Sequence, residues 1–218
     1  MAQVAVPTAA LAGVPAGLQA QGVWAGRRQL FVRFAAEAET ATMYTADALA
    51  NELRRSTARS AYHSISIAGR DPLANVDYLR DAFAKAATAL PIMLDSDGQR
   101  PEEIAELESF VTLVQVTLEG PMVEAQHERA FASIKIAASS NFQHALTVLV
   151  DERTTDAQIL RVVERAHAAS ETTAVVVHPS VGTPVDRDRR WITLFEQAAA
   201  LHADVRLALR LPTPTGMR

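Results

Sequence analysis

The sequence contains no cysteine among its 218 residues. Disulfides, thiol nucleophiles, thiolate zinc sites and cysteine-held iron–sulfur clusters all need that side chain, so the composition excludes each of them. Lysine is also scarce, since only Lys85 and Lys135 are lysines among the 21 basic residues. With 25 acidic residues the formal net charge is −4. This mild acidity argues against a nucleic-acid partner or an anionic membrane surface.

Long apolar runs are missing as well. No run of about 18 apolar residues escapes interruption by charge, glycine or proline, so we expect no membrane-spanning helix. The first charged side chain is Arg27, so we expect no secretory signal with a basic leader. We interpret residues 1–21 as a flexible N-terminal arm and residues 22–218 as a single domain, and we expect a cytoplasmic location.

Short aliphatic runs alternate with longer segments of helical periodicity from Leu30 onward. This alternation is typical of parallel strands joined by helices, and the spacing is close to the roughly 30 residues of one strand–helix–strand unit. The sequence therefore predicts the α/β class. The predicted strands are Leu30–Phe34, Ser64–Ile67, Ile92–Leu94, Val111–Val116, Ala145–Val150, Ala174–Val177 and Val205–Leu209.

Polar side chains follow several of these strands at their carboxyl ends, where sheets of parallel strands bind their ligands. Asp95, Glu119, Asp151 and His178 are three acids and an imidazole at the ends of four strands. Such a set could hold a divalent cation or divide general acid and base roles. The alternative is that these side chains cap helices or form turns.

Four short segments of the sequence carry a resemblance to a known family, and they occur in the same order as the family's motifs. They are residues 21–35, which include the first predicted parallel strand, Tyr62–Leu73, Leu90–Gly98 and the pair His178-Pro179. Together they resemble the radical S-adenosylmethionine (SAM) superfamily, and within it the 7-carboxy-7-deazaguanine synthase group of queuosine biosynthesis. The resemblance spans most of the chain and implies a partial parallel (βα)6-type barrel, a partial TIM barrel of the radical SAM kind.

The resemblance also implies a ligand site. Residues 69–72 stand where the family has Gly-Gly-Glu-Pro, residues 95–98 stand at the family's Glu-Thr-Asn-Gly, and residues 178–179 stand where Gln-Pro is frequent. An arginine replaces the second glycine, while Asp71 and Asp95 keep carboxylates. The ligand-binding residues implied in this way are Gly69, Arg70, Asp71, Asp95, Ser96, Asp97 and His178.

One departure from the family decides the expected chemistry. In the radical SAM family the first strand is followed by Cys-x3-Cys-x2-Cys, whose thiolates hold a 4Fe–4S cluster. The corresponding residues of this sequence, 36–44, contain neither cysteine nor histidine. Thr42 or Thr45 could instead cap the helix that follows. We expect no iron–sulfur cluster, no radical chemistry and no other cofactor or metal, although SAM or nucleoside binding could remain.

The functional expectation is a pseudoenzyme that acts as a small-molecule-binding or partner subunit, in a hetero- or homo-oligomer. The alternative is a repurposed non-radical enzyme that uses the acids and His178 at the strand ends, with or without a divalent metal. A third possibility is a cluster completed by a partner's cysteines. No residue is assigned as catalytic.

Overall fold

The computed structural model describes residues 7–119, 124–185 and 187–211, with no side-chain description for residues 124–126. These residues form ten strands and six helices. The strands are β1 (Thr8–Gly13), β2 (Ala16–Leu18), β3 (Arg28–Phe34), β4 (Thr42–Thr45), β5 (Ser64–Gly69), β6 (Ile92–Ser96), β7 (Leu113–Glu119), β8 (Gln143–Leu149), β9 (Ala174–His178) and β10 (Val205–Leu207). The helices are α1 (Ala46–Arg59), α2 (Val76–Ala86), α3 (Pro101–Ile104), α4 (Glu124–Ser139), α5 (Asp156–Ala169) and α6 (Arg189–Leu201).

All the strands belong to one sheet with the order β10-β9-β8-β7-β6-β5-β3-β1-β4, and β2 pairs with β3. Seven neighbouring strands are parallel to one another, namely β10, β9, β8, β7, β6, β5 and β3. Strand β1 runs antiparallel to both of its neighbours, β3 and β4. The predicted α/β class with a mostly parallel sheet is confirmed. Within the described ranges, no ladder joins the two edges β4 and β10.

The sheet has two different faces because successive side chains of a strand point in opposite directions. One set of alternating residues, including Val32, Ile67 and Val116, belongs to the same apolar cluster as the helices. We call this side the helix face. Each parallel strand lies beside the next one in the chain, and right-handed crossovers then place every connecting helix on the same side. The opposite side, which carries Asp95 and Gln115, is called the loop face.

The loop face is covered by the connection between β2 and β3, residues 19–27, which we call the covering loop. Its Val23 and Trp24 pack against a small apolar cluster of Met93, Leu113 and Ala145. The loop closes on itself through two backbone hydrogen bonds, from Gln19 N–H to the Arg27 carbonyl at 2.9 Å and from Gly26 N–H to the Gln19 carbonyl at 2.8 Å. The apolar half of the loop face is therefore shielded from water without a helix.

The N-terminal segment differs from the flexible arm interpreted from the sequence. Residues 8–18 form β1 and β2, and β1 alternates exposed with buried side chains so that Ala9 and Leu11 are buried. Small uncharged residues had indicated a loose segment, but the same composition allows a strand to pack closely between β3 and β4. Residues 1–6 of the interpreted arm lie outside the described residues. The short strand β4 was missed for another reason, since its Thr42 and Thr45 were interpreted as candidate helix caps.

The seven predicted parallel strands are all present, and their bounds differ from the predicted ones by a few residues at most. The side chain of Thr45 accepts a hydrogen bond from Ala48 N–H at 3.1 Å and caps α1, so the second of the two candidate caps is correct. Thr42 lies in β4 instead. None of the helices in the described part of the chain is long and apolar enough to cross a membrane.

Gly22 provides a test of how tightly the covering loop is held. It has a φ of +76°, and a Cβ atom at this position would lie 1.7 Å from Oε1 of Gln115. Gly26, in the same loop, has a φ of +80° but no atom within 4 Å of such a Cβ. Gly26→Ala should cost only the backbone strain of about 1–2 kcal/mol, while Gly22→Ala should cost about 1–3 kcal/mol more because of overpacking.

Urea denaturation of the two alanine variants measures this difference, since both share the strain of a positive φ. Equal losses of stability in the two variants would contradict the close contact between the loop and β7.

Candidate functional site

Asp95 lies on β6 and faces the covering loop, where its Oδ1 accepts a hydrogen bond from the Thr117 hydroxyl at 2.8 Å. Burial raises the pKa of the Asp95 carboxyl, and the negative charge of Glu119 raises it further. The side chains of Thr117, Gln115 and Gln19 lower the pKa and so oppose this shift. The net effect favours the protonated, neutral carboxyl.

Two buried amide side chains lie beside Asp95 and act on its carboxyl. Gln115 is fully buried and Gln19 is 3% exposed. Hydrogen bonds from both amides favour the carboxylate form of Asp95, as the Thr117 hydroxyl does. We call Gln19, Asp95, Gln115 and Thr117 the polar cluster.

His178 ends β9 and connects it to the covering loop. Its Nε2 accepts a hydrogen bond from Gly22 N–H at 2.8 Å. Burial lowers the pKa of His178, the nearby positive charge of Arg210 lowers it further, and the backbone of Ala208 opposes the shift. Because Nε2 is an acceptor, the neutral ring is assigned its proton on Nδ1, which is itself buried. His178 is therefore an anchor for the loop through Nε2, while Nδ1 is buried.

A cleft of about 260 Å³ lies beyond the carboxyl ends of β7, β8 and β9. It brings together two acids and a guanidinium, those of Glu119, Asp151 and Arg210, and His178 forms part of its wall. The hydroxyl of Thr154, which donates to Asp151 at 2.7 Å, lowers the pKa of Asp151, and the backbone N–H of Arg153 adds to the effect. The Asp151 carboxylate is thus charged at neutral pH.

Three of the four residues singled out at the strand ends, Glu119, Asp151 and His178, therefore line a common cleft. Asp95 does not line it, although the charge of Glu119 acts on its carboxyl. The register explains this arrangement. Asp95 pairs with Gln115 on the neighbouring strand, whereas His178 pairs with Leu149 nearer the carboxyl ends.

The residues that stand at the Gly-Gly-Glu-Pro motif of the family do not contribute to this cleft. Gly69 ends β5 against the backbone of Phe34, and the Arg70 side chain extends into solvent, where it pairs with Glu37 at 2.9 Å. The carboxylate of Asp71 is taken up by Arg100 through two hydrogen bonds of 2.7 and 2.9 Å. These groups serve ion pairs at the end of β5.

Ser96 and Asp97 serve the turn after β6. The buried Ser96 hydroxyl accepts from Gly98 N–H at 3.1 Å, and Oδ1 of the exposed Asp97 accepts from Gln99 N–H at 3.1 Å. Of the seven residues implied by the resemblance, only Asp95 and His178 lie on the loop face. The sequence reasoning missed Gln19, Gln115 and Arg210. The alternation along β7 could have revealed Gln115, but nothing local identifies the other two.

Residues 36–44, which stand at the position of the family's cysteine motif, form hydrogen bonds and an ion pair with neighbouring residues. Glu39 accepts from Arg33 at 2.6 Å and from Ala36 N–H at 3.2 Å, and the chain then enters β4. A 4Fe–4S cluster needs thiolates, so the residues present do not fit one. Among the described residues, no three His, Asp or Glu side chains come together as ligands for a metal ion.

Comparisons with known proteins leave the family open. No protein-family model matches the sequence, and no curated protein matches it. Among solved structures, a truncated 3-deoxy-D-arabino-heptulosonate 7-phosphate synthase from Thermotoga maritima aligns with a TM-score of 0.38 and 11% identity, over 82% of this chain and 80% of that one. An apo 3-keto-D-glucoside 4-epimerase from E. coli aligns with a TM-score of 0.35 and 13% identity, over 76% and 88%. Likenesses this weak carry no argument about fold or activity.

The raised pKa of Asp95 predicts a pH-dependent effect on stability. An acid whose pKa is higher in the folded state stabilises the protein below its unfolded pKa of about 3.9, and this stability is lost as the pH rises through the folded value. Asp95→Asn has no carboxyl to ionise and so does not lose this stability, and the variant should melt at a higher temperature than the wild type at pH 7. The melting temperatures of the two proteins should become equal at the acidic end of the range.

Thermal melts from pH 4 to pH 8 measure this effect, with Asp97→Asn, at an exposed neighbouring position, as the control for loss of one negative charge. An advantage of Asp95→Asn that is the same at every pH would show that burial does not raise the pKa of Asp95.

Proposed function

We propose that the protein binds a small zwitterionic molecule, one that carries an α-amino acid group, in the cleft at the ends of β7–β9. It does so on a partial barrel of the radical SAM kind that lacks the family's cluster chemistry. The observation that carries the proposal is the cleft itself, whose lining includes two acidic residues, Glu119 and Asp151, and the basic residue Arg210.

The charges of the cleft favour this class of ligand. An ammonium group pairs with carboxylates, and a ligand carboxylate pairs with a guanidinium through charge-assisted hydrogen bonds. Arginine suits the second contact in particular, because its planar fork matches the geometry of a carboxylate. A cleft of about 260 Å³ accommodates one end of a small ligand better than a complete large one.

The loss of radical chemistry rests on the donor set. Without a thiolate between residues 36 and 44, or anywhere else in the chain, nothing can hold the three irons that the family's motif holds. An ion pair between Arg33 and Glu39 occupies the start of that segment. The proposed function therefore uses binding and not electron transfer to a sulfonium.

Binding is better supported than the alternative of a repurposed acid–base enzyme. That alternative needs a group that can take up a proton, and His178 has its acceptor nitrogen occupied by Gly22 N–H. The lowered pKa of Asp151 makes its carboxylate a weak base. The version with a divalent metal lacks three converging ligands among the described residues. A protein partner stays a prediction.

Calorimetric titration with S-adenosylhomocysteine, L-methionine and adenosine tests the proposal. The first two carry the zwitterionic group and should bind in this cleft, whereas adenosine lacks it, so that adenosine binding should be unchanged in the cleft variants. Glu119→Gln and Arg210→Gln should each weaken the binding of S-adenosylhomocysteine by about tenfold, which corresponds to about 1.4 kcal/mol. Glu171→Gln, an exposed change before β9 and hence at the opposite end of that strand, is the matched control.

The proposal is overturned if neither amino-acid probe binds, or if both probes bind the two cleft variants as tightly as they bind the wild type.

A further inference from the structure

A second and larger cavity lies at the opposite ends of the strands. Its volume is about 470 Å³, within the range of about 300–1,000 Å³ typical of small-molecule sites. It is formed where β7, β8 and β9 begin, beside β10 and under the covering loop. The lining residues that the argument uses are Trp24, Asn141, Gln143, His144 and Arg206.

Trp24 forms a rigid aromatic wall of this cavity. Its indole is half-buried and packs on the apolar cluster of Met93, Leu113 and Ala145. The ring of His63 meets it edge-on, with 5.0 Å between the ring centroids and an interplanar angle of 75°. An indole fixed in this way presents a flat apolar surface at little cost in conformational entropy.

Two amide side chains, those of Asn141 and Gln143, stand at the rim of the cavity. Both residues are exposed, and each amide offers donors as well as an acceptor. Asn141 has a φ of +57°, which places the turn before β8 in the left-handed region. Since His144 already uses one ring nitrogen on the Phe142 carbonyl and the other on the Ser170 hydroxyl, it is not available to a ligand.

Arg206 completes the cavity without adding net charge. Asp204 accepts two hydrogen bonds from the Arg206 guanidinium, at 2.8 and 3.0 Å. These bonds orient the guanidinium, and the carboxylate of Asp204 balances its charge. The remaining N–H groups of a guanidinium held in this way can still donate, and its face can stack on an aromatic ring. A cavity with balanced charge favours a neutral ligand over an anion.

We propose that this cavity is a second binding site, and that it takes a neutral planar heteroaromatic ring of the purine class. The ring stacks on Trp24, in the way that bases stack on aromatic side chains. The amides of Asn141 and Gln143 bind the nitrogen-bearing edge of the ring, since an amide matches the adjacent donor and acceptor of adenine. This site lies apart from the cleft at the carboxyl ends and does not depend on the function proposed there.

Fluorescence offers a direct test because the chain has two tryptophans, and the other, Trp191, is buried in α6 at 3% exposure. In a Trp191→Phe variant, Trp24 is the single tryptophan reporter. Titration with adenine should quench its emission along a saturable curve, while L-methionine should leave it unchanged. Should Trp191→Phe fail to fold, the same titration in the wild-type protein reports the quenching as a partial loss of signal.

Calorimetry on variants with the natural tryptophans identifies the contacts. Gln143→Ala should weaken adenine binding by about tenfold, because it removes one hydrogen-bonded contact to the base. Gln197→Ala, an exposed change on α6, should not alter it, and Glu119→Gln in the other cleft should not alter it either. Trp24→Phe keeps an aromatic platform and should retain binding to within about tenfold.

No saturable quenching at millimolar adenine overturns the proposal, as does equal affinity of the wild type and Gln143→Ala. Loss of adenine binding in Glu119→Gln would place adenine in the other cleft and would also overturn it.

Discussion

The structure depends on the contact between the covering loop and the sheet at Gly22. The amide of this residue donates to the buried imidazole of His178, and a Cβ atom at this position would lie 1.7 Å from Oε1 of Gln115. Through this one residue the loop is tied to β7 and β9 at once. The loop face needs such a cover because strands buried on both sides require packing on each face, and all the helices lie on the other side.

The same contact divides the loop face into two regions with different chemistry. Toward the amino ends, Trp24 and Val23 close over apolar side chains and leave a cavity with balanced charge. Toward the carboxyl ends, the loop leaves charged groups in a smaller cleft. Between the two lies the polar cluster, where the half-buried carboxyl of Asp95 meets the buried amides of Gln115 and Gln19.

Local patterns in the sequence were sufficient for the parallel strands and for the cap of α1. Val114 and Val116 alternate with Gln115 in the pattern of a strand, and Thr45, one of the two threonines proposed as caps, caps α1. The N-terminal strands were missed because small uncharged residues are compatible with either a loose segment or an edge pairing. Only the presence of β3 and β4 on either side of β1 decides between the two.

The sequence by itself determined the α/β class, the approximate positions of the parallel strands along the chain and the exclusion of thiolate chemistry, since these follow from periodicity and from the residue types present. The tertiary structure alone decided which side chains meet. Arg210 lines one cleft with Glu119 and Asp151, which lie 91 and 59 residues earlier in the chain, and Asp71 forms an ion pair with Arg100 instead of joining that cleft. Contacts between residues distant in sequence depend on strand register and loop packing, which no local pattern encodes.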